Sequence, residues 1–269
     1  MWAYGEHPRA WRDLGTPEAL LWTAGALYAI GVRRHGGWQH LPHEPAAWIR
    51  AAVLTAGAAT AAVLARRILS RYVADLFLGR RHQALLRPWF HRRLRRWEEA
   101  DRLAVAHAHD AAGPRHAAAR NRVALARPRS ATWMGDRLQA VESRVRAEYG
   151  LDLPSAWPRL WLLLPAPDRD DLRAADRAWL DATDSASWAL LSLVPALAWY
   201  PLTALSLLTW LGALLRARAA VEAAADLVEA AVDLHGQALA RRLGAAPAEE
   251  VQVTPAIGRE VNSRLRKGG

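Results

Sequence analysis

The chain has 269 residues, 52% apolar and 23% charged, with 36 basic against 26 acidic residues for a net charge of +10, which excludes wholesale disorder. It has no Cys, which excludes disulfides, thiolate-bound zinc, thiol catalysis and iron–sulfur clusters. Lys267 is the sole Lys, and its place among the closing residues excludes a Walker A loop and argues against a buried Schiff-base lysine.

The chain opens MWAYGEHPR, without a basic run, and Val32 is followed by Arg33 and Arg34 where a small-residue cleavage pattern would stand. No signal peptide is expected, and the first apolar segment is expected to be retained. That segment, Ala19–Val32, and a second, Ala51–Ala65, are charge-free runs of 14 and 15 residues. Each is short of the ~20 residues a span needs. Extended to about 18–32 and 47–65, they read together as a membrane hairpin occupying 1–65, with Glu18 and Arg50 at its ends. Ala52, Ala56 and Thr60, and likewise Gly57, Ala61 and Ala65, lie four apart, a spacing that lets helix backbones approach closely.

Ten arginines follow the second segment within residues 66–100, among them Arg66, Arg67, Arg71, Arg80 and Arg81, against three acids. One basic block beside an apolar run marks a cytoplasmic flank, so the N-terminus and residues 66–184 are expected in the cytoplasm. Ile68, Leu69, Tyr72, Val73, Leu76 and Phe77 predict one face of a helix stopping at Gly79. From Pro88, Phe90, Leu94 and Trp97 recur at helical spacing beside Trp89, Arg92, Arg93, Arg95 and Arg96. A basic amphipathic helix with Trp and Phe suits the surface of an anionic leaflet. Arginines among aromatics also suit single-stranded nucleic acid, the weaker reading. Residues 66–109 are therefore juxtamembrane helices, with Arg66, Arg67, Arg71, Arg80, Arg81, Trp89, Phe90, Arg92, Arg93 and Trp97 as membrane-surface candidates.

Residues 110–131, with Gly113, Pro114 and Pro128 and little apolar periodicity, read as a linker. Residues 132–184 read as a cytoplasmic helical domain. Ser130 or Thr132 caps its first helix, Leu138, Val141 and Val145 mark the inner face, and Gly150 ends it. AWPRLWLLLP (156–165) reads as a buried strand or, preferably, a turn of interfacial helix, and Asp168 as the cap of the next helix.

Ser185–Leu215 is a run of 31 residues without a charge, with Trp188 and Trp210 near its ends and Pro195 and Pro201 inside. As one helix it would measure about 46 Å against a hydrocarbon core of about 30 Å. It is expected as either one tilted, kinked span or a re-entrant hairpin turning at Trp199–Pro201. The first alternative puts the C-terminal part outside, the second in the cytoplasm. Residues 216–244 read as an amphipathic packing helix on a seam of Ala220, Ala224, Leu227, Ala231, Leu234 and Ala238, and 245–269 as a polar tail. The seam is expected to meet another part of the chain or a second copy.

Three clusters carry potential chemistry. His107, His109, Asp110 and His116 are candidate metal ligands, but residues 107 and 109 point about 200° apart on a helix. His35, His40, His43 and Glu44, in the expected external loop, are candidates for zinc binding or pH sensing, and read better as polar residues of a short solvated loop. Asp168, Asp170, Asp171, Asp176, Asp181 and Asp184 alternate with Arg169, Arg173 and Arg177 and read as a charged helix surface. No nucleophile elbow, zinc-protease, nucleotide-loop or EF-hand motif occurs. No catalytic residue, cofactor or metal is expected.

The run ATWMGDRLQAVESRVRAEYGLDLPSAWPRLWLLLP, the break at AWYP, EAAVDLHGQALARRLG and the closing VNSRLRKGG together resemble an uncharacterised group of Streptomyces-type actinobacterial multi-pass membrane proteins. The resemblance covers roughly 130–244. It implies a membrane location and assigns no activity. The combined expectation is an all-α integral membrane protein acting as a self-associating anchor or scaffold, in contact with the bilayer and anionic lipids. The alternative is a pore-forming or transport component.

Overall fold

A computed structural model of the chain describes residues 45–80, 83–124, 127–197, 200–246 and 253–266, all in helices or their connections, with no strand among them. The expected first membrane segment, the histidine loop at 35–44 and Arg81 lie outside these residues. The helices are α1 (Pro45–Phe77), α2 (Gln83–Ala106), α3 (Gly113–Val123), α4 (Trp133–Tyr149), α5 (Leu153–Leu163), α6 (Ala166–Leu191), the single turn α7 (Leu193–Ala196), α8 (Pro201–Arg242) and α9 (Pro255–Arg266). Two compact units result. One, the charged unit, lies within Leu76–Arg177 and Arg218–Gly269; the other, the apolar unit, takes the described residues up to Asp75 together with Ala178–Ala217. Helices α1, α6 and α8 contribute residues to both. Positions 65/66, 184/185 and 215/216, where the composition changes, fall inside unbroken helices.

Within the charged unit, Arg93 and Asp136 organise the packing. Arg93 pairs with Asp136 at 2.5 Å and donates further hydrogen bonds to the carbonyls of Val123 and Ser130. Asp136 in turn accepts from the backbone N–H groups of Arg129 and Ser130. Trp97 Nε1 donates to the Ala124 carbonyl, and Arg120 pairs with Asp101. The segment expected as a linker at 110–131 is therefore a packed element. It contains α3, started by Pro114, and is held by α2 and α4. Its apolar periodicity is weak because polar side chains on α2 and α4, not apolar ones, hold it.

Thr132 caps α4 by accepting from the Gly135 N–H, and Gly150 closes it in the left-handed conformation at φ 65°, where a side chain would be strained. Leu138, Val141 and Val145 form its buried face, as the spacing predicts. Ser130 is not the cap; its hydroxyl donates to the Leu78 carbonyl. Asp168 is likewise not a cap: it lies in the first turn of α6 and pairs with His235 on α8 at 3.1 Å. The 156–165 stretch forms most of α5, with Trp157 and Leu160 buried.

Helix α9 closes this unit. Asn262 accepts from the Asp152 N–H and donates to the Gly150 carbonyl, and Gly258 lies directly on the Tyr149 carbonyl, leaving no room for a Cβ. Ile257 and Val261 are buried. The end of the expected polar tail is thus a docked helix.

The second half of α8 is a packing helix; Ala220, Ala224 and Ala231 of the expected seam are buried, but the centre of the buried face is displaced from that seam. Leu234 and Ala238 are exposed, Leu227 is half-buried and Ala231 is buried. The buried line runs through Val221, Ala225, Val228, Val232 and Leu239. Each position is about one residue further along, roughly a quarter-turn around the helix. The valines, not the commoner alanines, mark the core. On the flank nearest α4, Arg137 bonds Asp226 and Glu229 at 2.5 and 2.8 Å, and Arg144 also reaches Glu229 at 2.8 Å. Tyr149 donates to Asp233, and burial followed by this bond raises the phenol's pKa. The Arg218 guanidinium lies 4.2 Å from the Trp133 ring centre.

Ala231 and Ala223 provide a paired test. Ala231→Glu places a carboxylate in a dry seam and should lower stability by about 3 kcal/mol. Ala223, exposed on the side away from the Val221, Val228 and Val232 line, should accept Glu within about 0.5 kcal/mol. Melting of the detergent-solubilised variants reads the difference.

Candidate membrane interface

The apolar unit is built on three charge-free stretches: Ala51–Ala65 of α1, Ser185 to the end of α6, and Pro201–Leu215 of α8. Each ends at a charge: Arg66, Asp184 and Arg216 respectively. Two of these charges meet. Arg66 is buried and pairs with Asp184 at 2.5 Å. Around them Ala62, Val63 and Trp188 form a small core with Leu191 against it. The limits of the uncharged stretches on α1 and α6 therefore coincide in space.

Beyond that limit the apolar surface is uncovered. Leu205, Leu207, Leu208, Leu211 and Leu215 on α8 are each more than half exposed. Leu197 and Tyr200, flanking the break before α8, are 81% and 85% exposed. On α1, Val53, Leu64 and Ile68 are exposed as well. Most exposed large apolar side chains among the described residues lie in this unit. α8 is the one helix among them long and apolar enough to cross a membrane, and only 28% of its most apolar window is buried. A core helix of a water-soluble protein would be mostly buried.

The expected membrane-surface residues separate into two groups. Arg66 and Arg93 are buried in ion pairs, and Trp97 and Phe90 turn inward on α2, half-buried. Arg66 and Arg93 are thus engaged in ion pairs within the chain, and Trp97 bonds the Ala124 carbonyl. Arg71, Arg80, Trp89 and Arg92 are exposed, and Arg67 is half-buried. On α2 the outward face carries Arg87, Arg92, Arg95, Arg96 and Arg102. Of these only Arg92 is among the expected membrane-surface candidates; Arg87, Arg95, Arg96 and Arg102 are additions, since a periodicity anchored on Phe90 and Trp97 follows the inner side of the helix. Those aromatics mark the core side, and the arginines a half-turn away mark the outer one.

Arg80 lies near Glu142 of α4. Burial raises the Glu142 carboxyl above its ordinary pKa, against the opposing pull of Arg146 and Arg80. At α5, the Ser155 hydroxyl and Arg146 hold Asp152 below the ordinary range. The His107 and His116 rings stack at 4.7 Å between centroids. His109 and Asp110 are exposed, and no group of three potential metal ligands occurs among the described residues.

No protein-family model, curated protein or solved structure matches the chain.

Two predictions follow from these charges. Asp184→Leu leaves the Arg66 charge buried and should cost about 2 kcal/mol, while adding Arg66→Met should recover most of it, because two packed apolar groups avoid desolvation. Denaturant titration of solubilised protein checks both. Glu142→Gln should raise the melting temperature at neutral pH. A raised folded-state pKa means the native state favours the protonated acid, so this group's contribution is present at low pH and lost as pH rises through the folded value. The variant's advantage should vanish when melting is measured near pH 4.

Proposed function

We propose that the chain is a non-catalytic integral membrane anchor or scaffold. In this reading the apolar unit lies in the bilayer and the charged unit stands in the cytoplasm. The observation that carries it is the row of exposed leucines on a charge-free stretch of α8. About 25 cal/mol per Å² is lost for apolar surface left in water, and a hydrocarbon surrounding removes that penalty.

The pairing between α4 and α8 bears on topology. Arg137 on α4 bonds Asp226 and Glu229 on α8, so the segments before and after the 185–215 run belong to one compact unit. A single crossing would put them on opposite sides of the bilayer. The contacts support entry and return on one face, a re-entrant hairpin. The arginines after α1's uncharged stretch favour the cytoplasmic side for that face. The buried line of α8 is satisfied within its own chain, so the reading requires no second copy.

The test uses single-Cys variants, clean because the chain has none of its own. Ser143→Cys on α4 and Ala238→Cys on α8 are both at exposed positions. In intact cells neither should react with an impermeant maleimide; after permeabilisation both should. Labelling of the Ala238 variant alone in intact cells would establish a single crossing. Recovery of the protein in the supernatant after carbonate extraction would remove the membrane reading altogether.

A further inference from the structure

We infer that the outer face of α2 is a docking surface for anionic phospholipid headgroups. This rests on the membrane-anchored reading and adds a second, electrostatic contact to it. The face carries Arg87, Arg92, Arg95, Arg96 and Arg102, all exposed, against Glu99, with the half-buried Glu98 at its edge paired to Arg127. From Arg87 to Arg102 it is about 22 Å long. Arg93, the remaining arginine of this stretch, turns inward to Asp136, so the outer five are not the ones the fold uses as its internal tie.

Trp89, Arg92, Arg96 and Leu103 fall on nearly one line along the helix, spaced by three, four and seven residues. Trp89 is 65% exposed, and the Arg92 guanidinium lies 6.0 Å from its ring centre. Leu103 is exposed at the other end of the line. An indole beside a guanidinium suits the headgroup region, where the ring takes the acyl boundary and the charge takes the phosphate. Arginine also pairs with a phosphate in bidentate fashion. Single-stranded nucleic acid fits less well. It requires successive aromatic platforms for its bases, and this face shows one, because Phe90 and Trp97 are turned towards the core.

The experiment uses the full chain in lipid nanodiscs. A dye is placed on the face through His91→Cys, and a control dye through Ser143→Cys on α4. Discs of phosphatidylcholine alone are compared with discs containing phosphatidylglycerol. The dye at 91 should become shielded from aqueous iodide in the anionic discs and stay open in the neutral ones. The control should stay open in both. Shielding should weaken about ten-fold or more on removing three charges in Arg92→Gln/Arg95→Gln/Arg96→Gln, and it should fall with added salt. Equal quenching of the 91 dye in both disc types overturns the proposal. So does tight binding of a labelled single-stranded RNA that the triple variant loses, without lipid-dependent shielding. Carbonate-resistant retention in neutral membranes is read separately. Its presence with no shielding rejects the docking face alone, and its absence rejects the anchor.

Discussion

The pairing of Arg93 with Asp136 is the interaction on which the charged unit depends. The two side chains are largely withdrawn from water. Between them they also hold the carbonyls of Val123 and Ser130 and the N–H groups of Arg129 and Ser130. They thus hold the connection from α3 to α4 and fix it against α2. A buried arginine is stable only when its donors are matched, and burial lowers the Arg93 pKa even with the carboxylate beside it. Polar bonding, more than a large apolar core, orders this segment. Close backbone approaches do the rest: Gly79 and Gly135 pack on Ser130, and Gly258 on Tyr149.

The apolar unit solves the opposite problem. Its small core of Ala62, Val63 and Trp188 leaves the leucines of α8 uncovered. Little internal packing is needed if the surroundings are hydrocarbon, because lipid tails are as apolar as the side chains they meet. The Arg66–Asp184 pair then marks the edge of that region. It neutralises two charges at the ends of two uncharged stretches, where an unpaired charge would be costly.

The helices were legible in the sequence wherever one face alternates strongly. The inner face of α4, its Thr132 and Gly150 ends and the charge-free run of α8 follow directly from spacing. Three features were not legible. The α3 segment shows little apolar periodicity because hydrogen bonds hold it. The α8 seam is buried at Ala220, Ala224 and Ala231 but off-centre at Leu234 and Ala238, because alanine occurs on every side of that helix and only Val221, Val228 and Val232 distinguish the buried one. The inward turn of Arg93 was hidden because an arginine among arginines looks like solvent-facing charge. Its partner Asp136 lies 43 residues away, beyond any local pattern.

Several backbone donors at the described ends of α6, α7 and α8 are absent or satisfied within the chain. In hydrocarbon every free N–H is costly, so a break in a helix needs its donors removed or satisfied. Pro195 and Pro201 have no N–H to satisfy. The Ser192, Ala196 and Leu197 N–H groups bond to Trp188, Ser192 and Val194, and Thr203 bonds to Tyr200. Hydroxyls are handled in the same way: Thr183, Ser185, Ser187 and Ser192 each donate to a carbonyl three or four residues back in their own helix. This back-bonding hides a polar group without a partner from elsewhere. Ser206 departs from the pattern, its hydroxyl buried with no hydrogen-bond partner. Such back-bonding also occurs in helices that face water, so the uncovered leucines of α8 remain the observation on which the membrane proposal rests.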